Sequence, residues 1–380
     1  MMYLFTKKYR ASWYRLLGKS LIAGITVAMF IGLTDFFSEL LWSVVPEALH
    51  VAHDGYVFII CLIGGIILGF FQRFGAGYPR TMAQLASTPN LEKTYRSDLP
   101  RTFIMAFIVL VFGGSVGPEA SLVGLIVGFF QWMAGDIKRL RPKLPTEKKR
   151  PQVVHIIAGV SALMAFIFTH RIFNAAPNPL FGVFKRVTID WQWQLIYLIP
   201  VGIAVGLLVG MYFNLTDRVT KNIVTRLPLT PGLKPVINGL MIGLAGVYAK
   251  ELLFSGQQQL VTIFNHVTVY SIGSLLILGL VKPILTNIGF HLGWRGGTIF
   301  PAMLSSFLLA AVLNLGLGLH SVLFMLTVSL AAVVYITGSP VVMMLVYMLL
   351  YPVTMYVPII LLALATDYVV KRLRKINHRL

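Results

Sequence analysis

The chain has 380 residues, of which 57% are hydrophobic and only 12% charged, and its mean hydropathy is +0.79. A soluble domain carries roughly twice that share of charge, so a water-soluble enzyme or binding module is excluded. The formal net charge of +19 would point to nucleic acid in a soluble protein. Here Lys and Arg fall in a few hydrophilic breaks, the pattern of a membrane protein whose basic loops stay inside and which has no nucleic-acid partner.

In chain order, the apolar runs predict spans at Leu16–Trp42, Tyr56–Phe74, Phe103–Phe112 continuing through the break at Gly113, Ala120–Met133, Val153–Phe168 and Leu195–Phe213. Further runs cover Val236–Tyr248, Tyr270–Ile288, Ala302–Leu317, Ser321–Ile336 and Met343–Val369. Several are too short or too interrupted to be simple spans, which suggests half-helices meeting in the interior. The fold class is therefore all-α and polytopic. A division near Asp190–Trp193 gives one repeat over 1–190 and a second over 191–370, followed by a basic tail at 371–380; two broken helices in each half are what an inverted repeat would produce. Basic residues cluster before the first span, between Arg73 and Arg101, from Lys138 to Arg150, between Arg218 and Lys234, and after Val370. Those breaks should be cytoplasmic and put both termini inside the plasma membrane, whereas Ser43–Gly55 and Glu251–Val281 should face out.

Four segments break the apolar runs with glycine and proline: Gly75-Ala76-Gly77-Tyr78-Pro79, Gly114-Ser115-Val116-Gly117-Pro118-Glu119, Gly296-Gly297-Thr298-Ile299-Phe300-Pro301 and Thr337-Gly338-Ser339-Pro340. Each reads as the start of a helix at membrane depth. The first turn of a helix leaves backbone N–H groups unpaired at the positive end of the dipole, so an anion site can be built there without charged side chains. Glu119 falls in such a first turn, where a carboxylate either caps the helix or serves function. Lys282, inside an apolar run beside Pro283, either raises the positive potential near a pore or pairs with a carbonyl end.

No His-Glu-x-x-His, Ser/His/Asp arrangement or nucleotide loop is present, so neither enzyme chemistry nor a cofactor or metal is indicated. His50, His53 and Asp54 have a metal-pair spacing but read as a surface loop. Cys61 is the only cysteine and lies in an apolar run, which leaves no disulfide within the chain.

Taken in order, these segments resemble the CLC family of chloride channels and proton-coupled chloride exchangers, over nearly the whole chain. The family's Gly-Ser-Gly-Ile-Pro corresponds to Gly75–Pro79, its Gly-Lys/Arg-Glu-Gly-Pro to Gly114–Pro118, and its Gly-x-Phe-x-Pro to Gly297–Pro301. The run Phe173–Gly182 looks like the family's Phe-Asn-Ala-Pro-Leu-Ala-Gly. The resemblance implies a CLC-like fold and a pathway for small monovalent anions in a bilayer-embedded homodimer. It fits a prokaryotic-type member without cytoplasmic regulatory domains. It also implies anion contacts at Gly75, Ala76, Gly77, Tyr78, Pro79, Gly114, Ser115, Val116 and Gly117, with Gly297, Thr298, Ile299 and Phe300 supplying backbone donors and the Thr298 hydroxyl adding one bond.

Departures from the pattern decide the mechanism. Val116 stands where the family has its gating glutamate, and a glutamate follows three positions later as Glu119. Ala76 replaces a serine whose hydroxyl helps hold the anion. The inner proton-transfer glutamate has no counterpart, because the chain runs from Pro179 to Trp191 with roughly one span missing, which also weakens the expectation of a dimer. Tyr351 and Tyr356 compete for the family's pore tyrosine, with Tyr356 favoured. The sequence thus points to passive passage of chloride; the alternatives are a proton-coupled exchanger with Glu119 as a relocated gate, a fluoride-selective transporter, or a non-conducting scaffold.

Overall fold

The computed structural model describes residues 10–51, 53–73, 77–78, 91–140 and 197–377, with a few further positions between 161 and 169. Gly75, Ala76 and Pro79 of the first broken segment, most of the predicted span at 153–168 and the run at 173–182 lie outside the described residues. In chain order the helices are α1 (Arg10–Glu39), α2 (Val45–Leu49), α3 (His53–Gln72), α4 (Leu91–Val111), α5 (Glu119–Leu140), α6 (Leu198–Arg226) and α7 (Leu233–Tyr248). They continue as α8 (Gln257–Asn265), α9 (Ile272–His291), α10 (Ile299–Gly316), α11 (Val322–Thr337), α12 (Pro340–Leu350) and α13 (Tyr356–Asn377). Among the described residues, six helices are long and apolar enough to cross a membrane.

Several boundaries differ from the sequence expectation: α4 begins at Leu91 rather than Phe103 and α6 runs on to Arg226 rather than Phe213, and two further differences have a clear physical reason. The first span does not end at Trp42. Pro46 has no N–H to offer the carbonyl of Trp42, and the backbone widens into a π-helical turn over Leu40–Val44 before α2. The single run expected at Met343–Val369 is two helices, α12 and α13, separated by the break at Tyr351 and Pro352. Proline there denies the helix a donor and biases the preceding residue, Tyr351, to extended backbone.

One compact unit contains α1, α2, α4 and α5. Its apolar core joins Trp13, Leu16 and Phe30 of α1 to Ala106 of α4 and to Leu125 and Met133 of α5. Asp136, 4% exposed, is not buried alone: Arg15 Nε donates to it at 3.0 Å and Lys19 Nζ at 2.8 Å. Removing either cation would leave part of a buried carboxylate uncompensated.

The second unit contains α3 and all helices from α6 onward, together with Gly113–Gly117. Its centre is α11, buried at every residue from Leu323 to Val334 because the helix is apolar all round and neighbours cover each face. Small residues let α3 and α7 approach backbone to backbone. A Cβ built on Gly69 would lie 2.3 Å from Gly232 O, and one on Gly239 2.6 Å from Cys61 O. Proline inside α9 frees a carbonyl that the fold satisfies elsewhere: Pro283 cannot donate to Gly279 O, and Ser305 Oγ of α10 does so at 2.6 Å.

Candidate functional site

Two of the broken segments meet within the second unit. After α4 the chain turns at Gly113 with φ +83°, a conformation that favours glycine. Gly114–Gly117 then runs buried, with the Val116 N–H closing a three-residue turn onto Gly114 O at 2.7 Å. Gly117 N donates to Gly297 O at 2.7 Å and Gly297 N to Gly117 O at 2.6 Å, an isolated antiparallel bridge joining the second motif to the third. Both glycine amides are consumed by this pairing.

What remains at the start of α10 is the pair Thr298 and Ile299. Neither N–H has a backbone acceptor among the described residues, as expected of the first turn of a helix, and both residues are half-buried. Their surroundings are apolar and helical, so an anion arriving there would meet donors and the positive end of a dipole. Thr298 occupies the N-cap position but its hydroxyl makes no capping bond.

Val116 is 1% exposed, and its side chain is pressed against the backbone of Gly296: a Cβ on that glycine would lie 2.4 Å from Val116 Cγ2. Val116 is therefore an apolar side chain in a packed contact. Glu119 opens α5 and is half-buried in its first turn. Of the first motif, Gly77 has φ +105° and the Tyr78 hydroxyl is committed to Asp98 Oδ1 at 2.6 Å, with the Arg101 guanidinium 5.7 Å above its ring. Tyr356 starts α13 half-buried, whereas Tyr351 is buried and stacks on Tyr347 with ring centroids 6.0 Å apart. Phe300 lies in the first turn of α10.

The fourth segment is also a helix junction. Gly338, with φ +62°, ends α11, and Pro340 sits at the first turn of α12, where its missing N–H costs nothing. His50 also has a left-handed φ of +50°, and its Nδ1 lies 2.7 Å from Glu47 O. No cluster of metal-ligating side chains occurs among the described residues.

Several residues supporting the site were not singled out by sequence. Thr286 of α9 donates to Ser115 O at 2.9 Å and lies 3.2 Å from Ser115 Oγ. Gln72 Nε2 donates to Gly293 O at 2.6 Å, and Trp294 Nε1 to Pro235 O at 2.8 Å, fixing the strand-like approach to Gly296 from both α3 and α7. A polar side chain in an apolar run is the available signal for Thr286 and Gln72. Lys282 pairs with a carbonyl end, as one of its sequence readings has it: its ammonium faces the turn at Glu251–Phe254. Arg295 is half-buried and lies 5.6 Å from the Phe290 ring centroid.

Among the described residues an all-helical body with six helices apolar and long enough to cross a membrane defines a polytopic membrane protein. The family model described as "Voltage gated chloride channel" matches residues 154–371, more than half of the chain. The chain belongs to that family. Curated relatives include YfeO of Escherichia coli O17:K52:H18 (strain UMN026 / ExPEC), 21% identical over 330 residues, which are 74% of this chain and 74% of that protein. YfeO of Shigella flexneri is 22% identical over 328 residues, again 74% of each chain. Among solved structures, a slow cyanobacterial Cl-/H+ antiporter matches with a TM-score of 0.71 and 15% identity, covering 95% of this chain and 94% of that one. A CLC-type fluoride/proton antiporter matches with a TM-score of 0.64 and 17% identity, covering 94% and 95%. At these identities the likeness establishes the fold.

Proposed function

We propose that the protein passes small monovalent anions, chloride foremost, by passive and proton-uncoupled permeation, with the N–H groups of Thr298 and Ile299 as the central donors. Backbone dipoles of this kind replace part of an ion's hydration yet release it readily, which suits conduction. The observation that carries the reading is Val116, buried against Gly296 at the position where the resembling family has its gating glutamate. A valine neither titrates nor competes with an anion by charge, so the step that would couple protons to anions has no group there. A homodimer with both termini cytoplasmic completes the proposal, resting on the family resemblance and on the basic runs.

A second reading, proton-coupled exchange with Glu119 as the gate, is favoured by one fact: this carboxylate is half-buried in a first helical turn. Fluoride as the preferred ion is a variant of either reading. Purified protein in liposomes separates them. Passive permeation gives chloride efflux without potassium flux and no uphill proton movement down an imposed chloride gradient. Proton pumping at fixed stoichiometry would overturn it in favour of exchange.

A further inference from the structure

Lys282 is fully buried in α9, 0% exposed. Its Nζ lies 2.6 Å from Phe254 O, 2.9 Å from Leu252 O, 3.2 Å from Leu253 O and 3.4 Å from Glu251 O. A neutral amine has only two hydrogens to donate, whereas an ammonium has three, and four converging acceptors are the environment of the charged form. None of the ion pairs formed by the described residues involves Lys282. The charge is thus hydrogen-bonded but not neutralised, an expensive arrangement in a membrane-spanning helix and one that calls for a function.

Two connections tie this cation to the candidate site. Phe254, which accepts the shortest bond from Lys282, donates its own N–H to Gly113 O at 3.2 Å. Thr286, one helical turn beyond Lys282 on the same face, donates to Ser115 O. Carbonyl dipoles hold the ammonium in place without cancelling its net charge, and the dry apolar surroundings screen it weakly. Arg295 adds positive charge beside the third motif, and the Glu251 carboxylate, on the turn that supplies the carbonyls and hydrogen-bonded by Tyr270 at 3.3 Å, subtracts from it.

Building on the anion-transport reading, we propose that Lys282 is the specificity-determining charge of the pathway. It raises anion occupancy at the start of α10 and repels cations through its field, without touching the ion. The turn at Glu251–Phe254 is its holder.

Chloride titration calorimetry on purified variants, combined with chloride-to-potassium permeability ratios in liposomes, tests this. Lys282→Gln retains two donors for the carbonyls but no charge; it should bind chloride about tenfold more weakly, the scale of losing one unit charge from a weakly screened interior, with a reduced permeability ratio. Lys282→Arg should keep both properties near wild type. Glu251→Gln, which keeps an acceptor for Tyr270, should tighten chloride binding roughly twofold, since a partly solvated opposing charge is screened more strongly. A purely structural lysine would alter the melting temperature of Lys282→Gln but neither affinity nor selectivity. Folded Lys282→Gln with wild-type affinity overturns the inference; if that variant does not fold, unchanged affinity in Glu251→Gln overturns it. Wild-type liposomes that pass no chloride would instead sink the anion-transport reading itself, a result read on the unmutated protein.

Discussion

Gly117 and Gly297, 180 positions apart, exchange both of their backbone hydrogen bonds, at 2.7 Å and 2.6 Å. The pairing fixes the Gly114–Gly117 segment against the approach to α10 and occupies both glycine amides. That leaves the donors of Thr298 and Ile299, and it makes the contact immediately before Gly297 intolerant of added bulk. Gly296 stands 2.7 Å, by its built Cβ, from Val116 Cβ as well as 3.0 Å from Gly117 O. A β-carbon cannot rotate out of the way.

Gly296→Ala should therefore lower stability by ~1–3 kcal/mol, the usual cost of overpacking, and suppress anion flux. Val116→Ala in the same chain removes Cγ2, the nearest atom, and should recover part of both losses. Unfolding titrations in detergent and liposome flux measure the coupling; strictly additive effects of the two substitutions would mean that the Val116–Gly296 contact does not limit the site.

Thr286 holds the second motif through the carbonyl and hydroxyl of Ser115. Thr286→Val keeps the shape and deletes the donor, leaving a buried carbonyl without its partner. It should cost ~1 kcal/mol of stability on typical hydrogen-bond values and reduce flux, while Thr286→Ser, which retains the hydroxyl, should conduct close to wild type. Equal flux from the valine and serine variants would assign Thr286 to packing alone.

Ser305 is the answer to a proline. Because Pro283 offers no N–H to Gly279 O, the Ser305 hydroxyl is the donor that carbonyl receives. Ser305→Ala should destabilise the protein by about 0.6–2 kcal/mol, the range for hydrogen bonds between membrane helices. Pro283→Ala supplies a backbone N–H in the serine's place, so the double variant should regain most of that loss. No recovery in the double variant would show that the serine's contribution is not to the freed carbonyl.

Helix positions were largely legible in the sequence, since apolar length and glycine–proline breaks are local. The expected Tyr270–Ile288 became Ile272–His291, and Val236–Tyr248 became Leu233–Tyr248. Where a run contained prolines at Pro352 and Pro358, hydropathy alone overrode the breaker and merged two helices. The site divides along the same line. Broken segments and the Val116 departure lie in short stretches of sequence, but Thr286 meets Ser115 across 171 positions, and Lys282 meets Phe254 across 28, through a turn with no sequence signature. Composition identified Lys282 as anomalous and offered a carbonyl end as a partner; only the folded turn names the carbonyls of Glu251–Phe254 as the ones that receive it.

Glu119 and Val116 make opposite predictions about protons. If permeation is passive, Glu119 does no more than favour the positive end of α5, a contribution of ~0.3–1 kcal/mol, and Glu119→Gln should leave chloride flux and its pH dependence essentially unchanged while lowering stability slightly. If Glu119 is a relocated gate, the same substitution should abolish proton movement and turn coupled exchange into uncoupled leak. Val116→Glu is the complementary change. Its carboxylate would be driven into the 1%-exposed contact with Gly296, where burial favours the neutral acid. Flux should then be impaired and become pH-dependent, rising on the acidic side where the side chain is protonated and falling as ionisation places a negative charge against the incoming anion. Proton and chloride fluxes recorded together for wild type, Glu119→Gln and Val116→Glu decide the matter: uphill proton movement in wild type that disappears in Glu119→Gln would replace passive permeation with exchange.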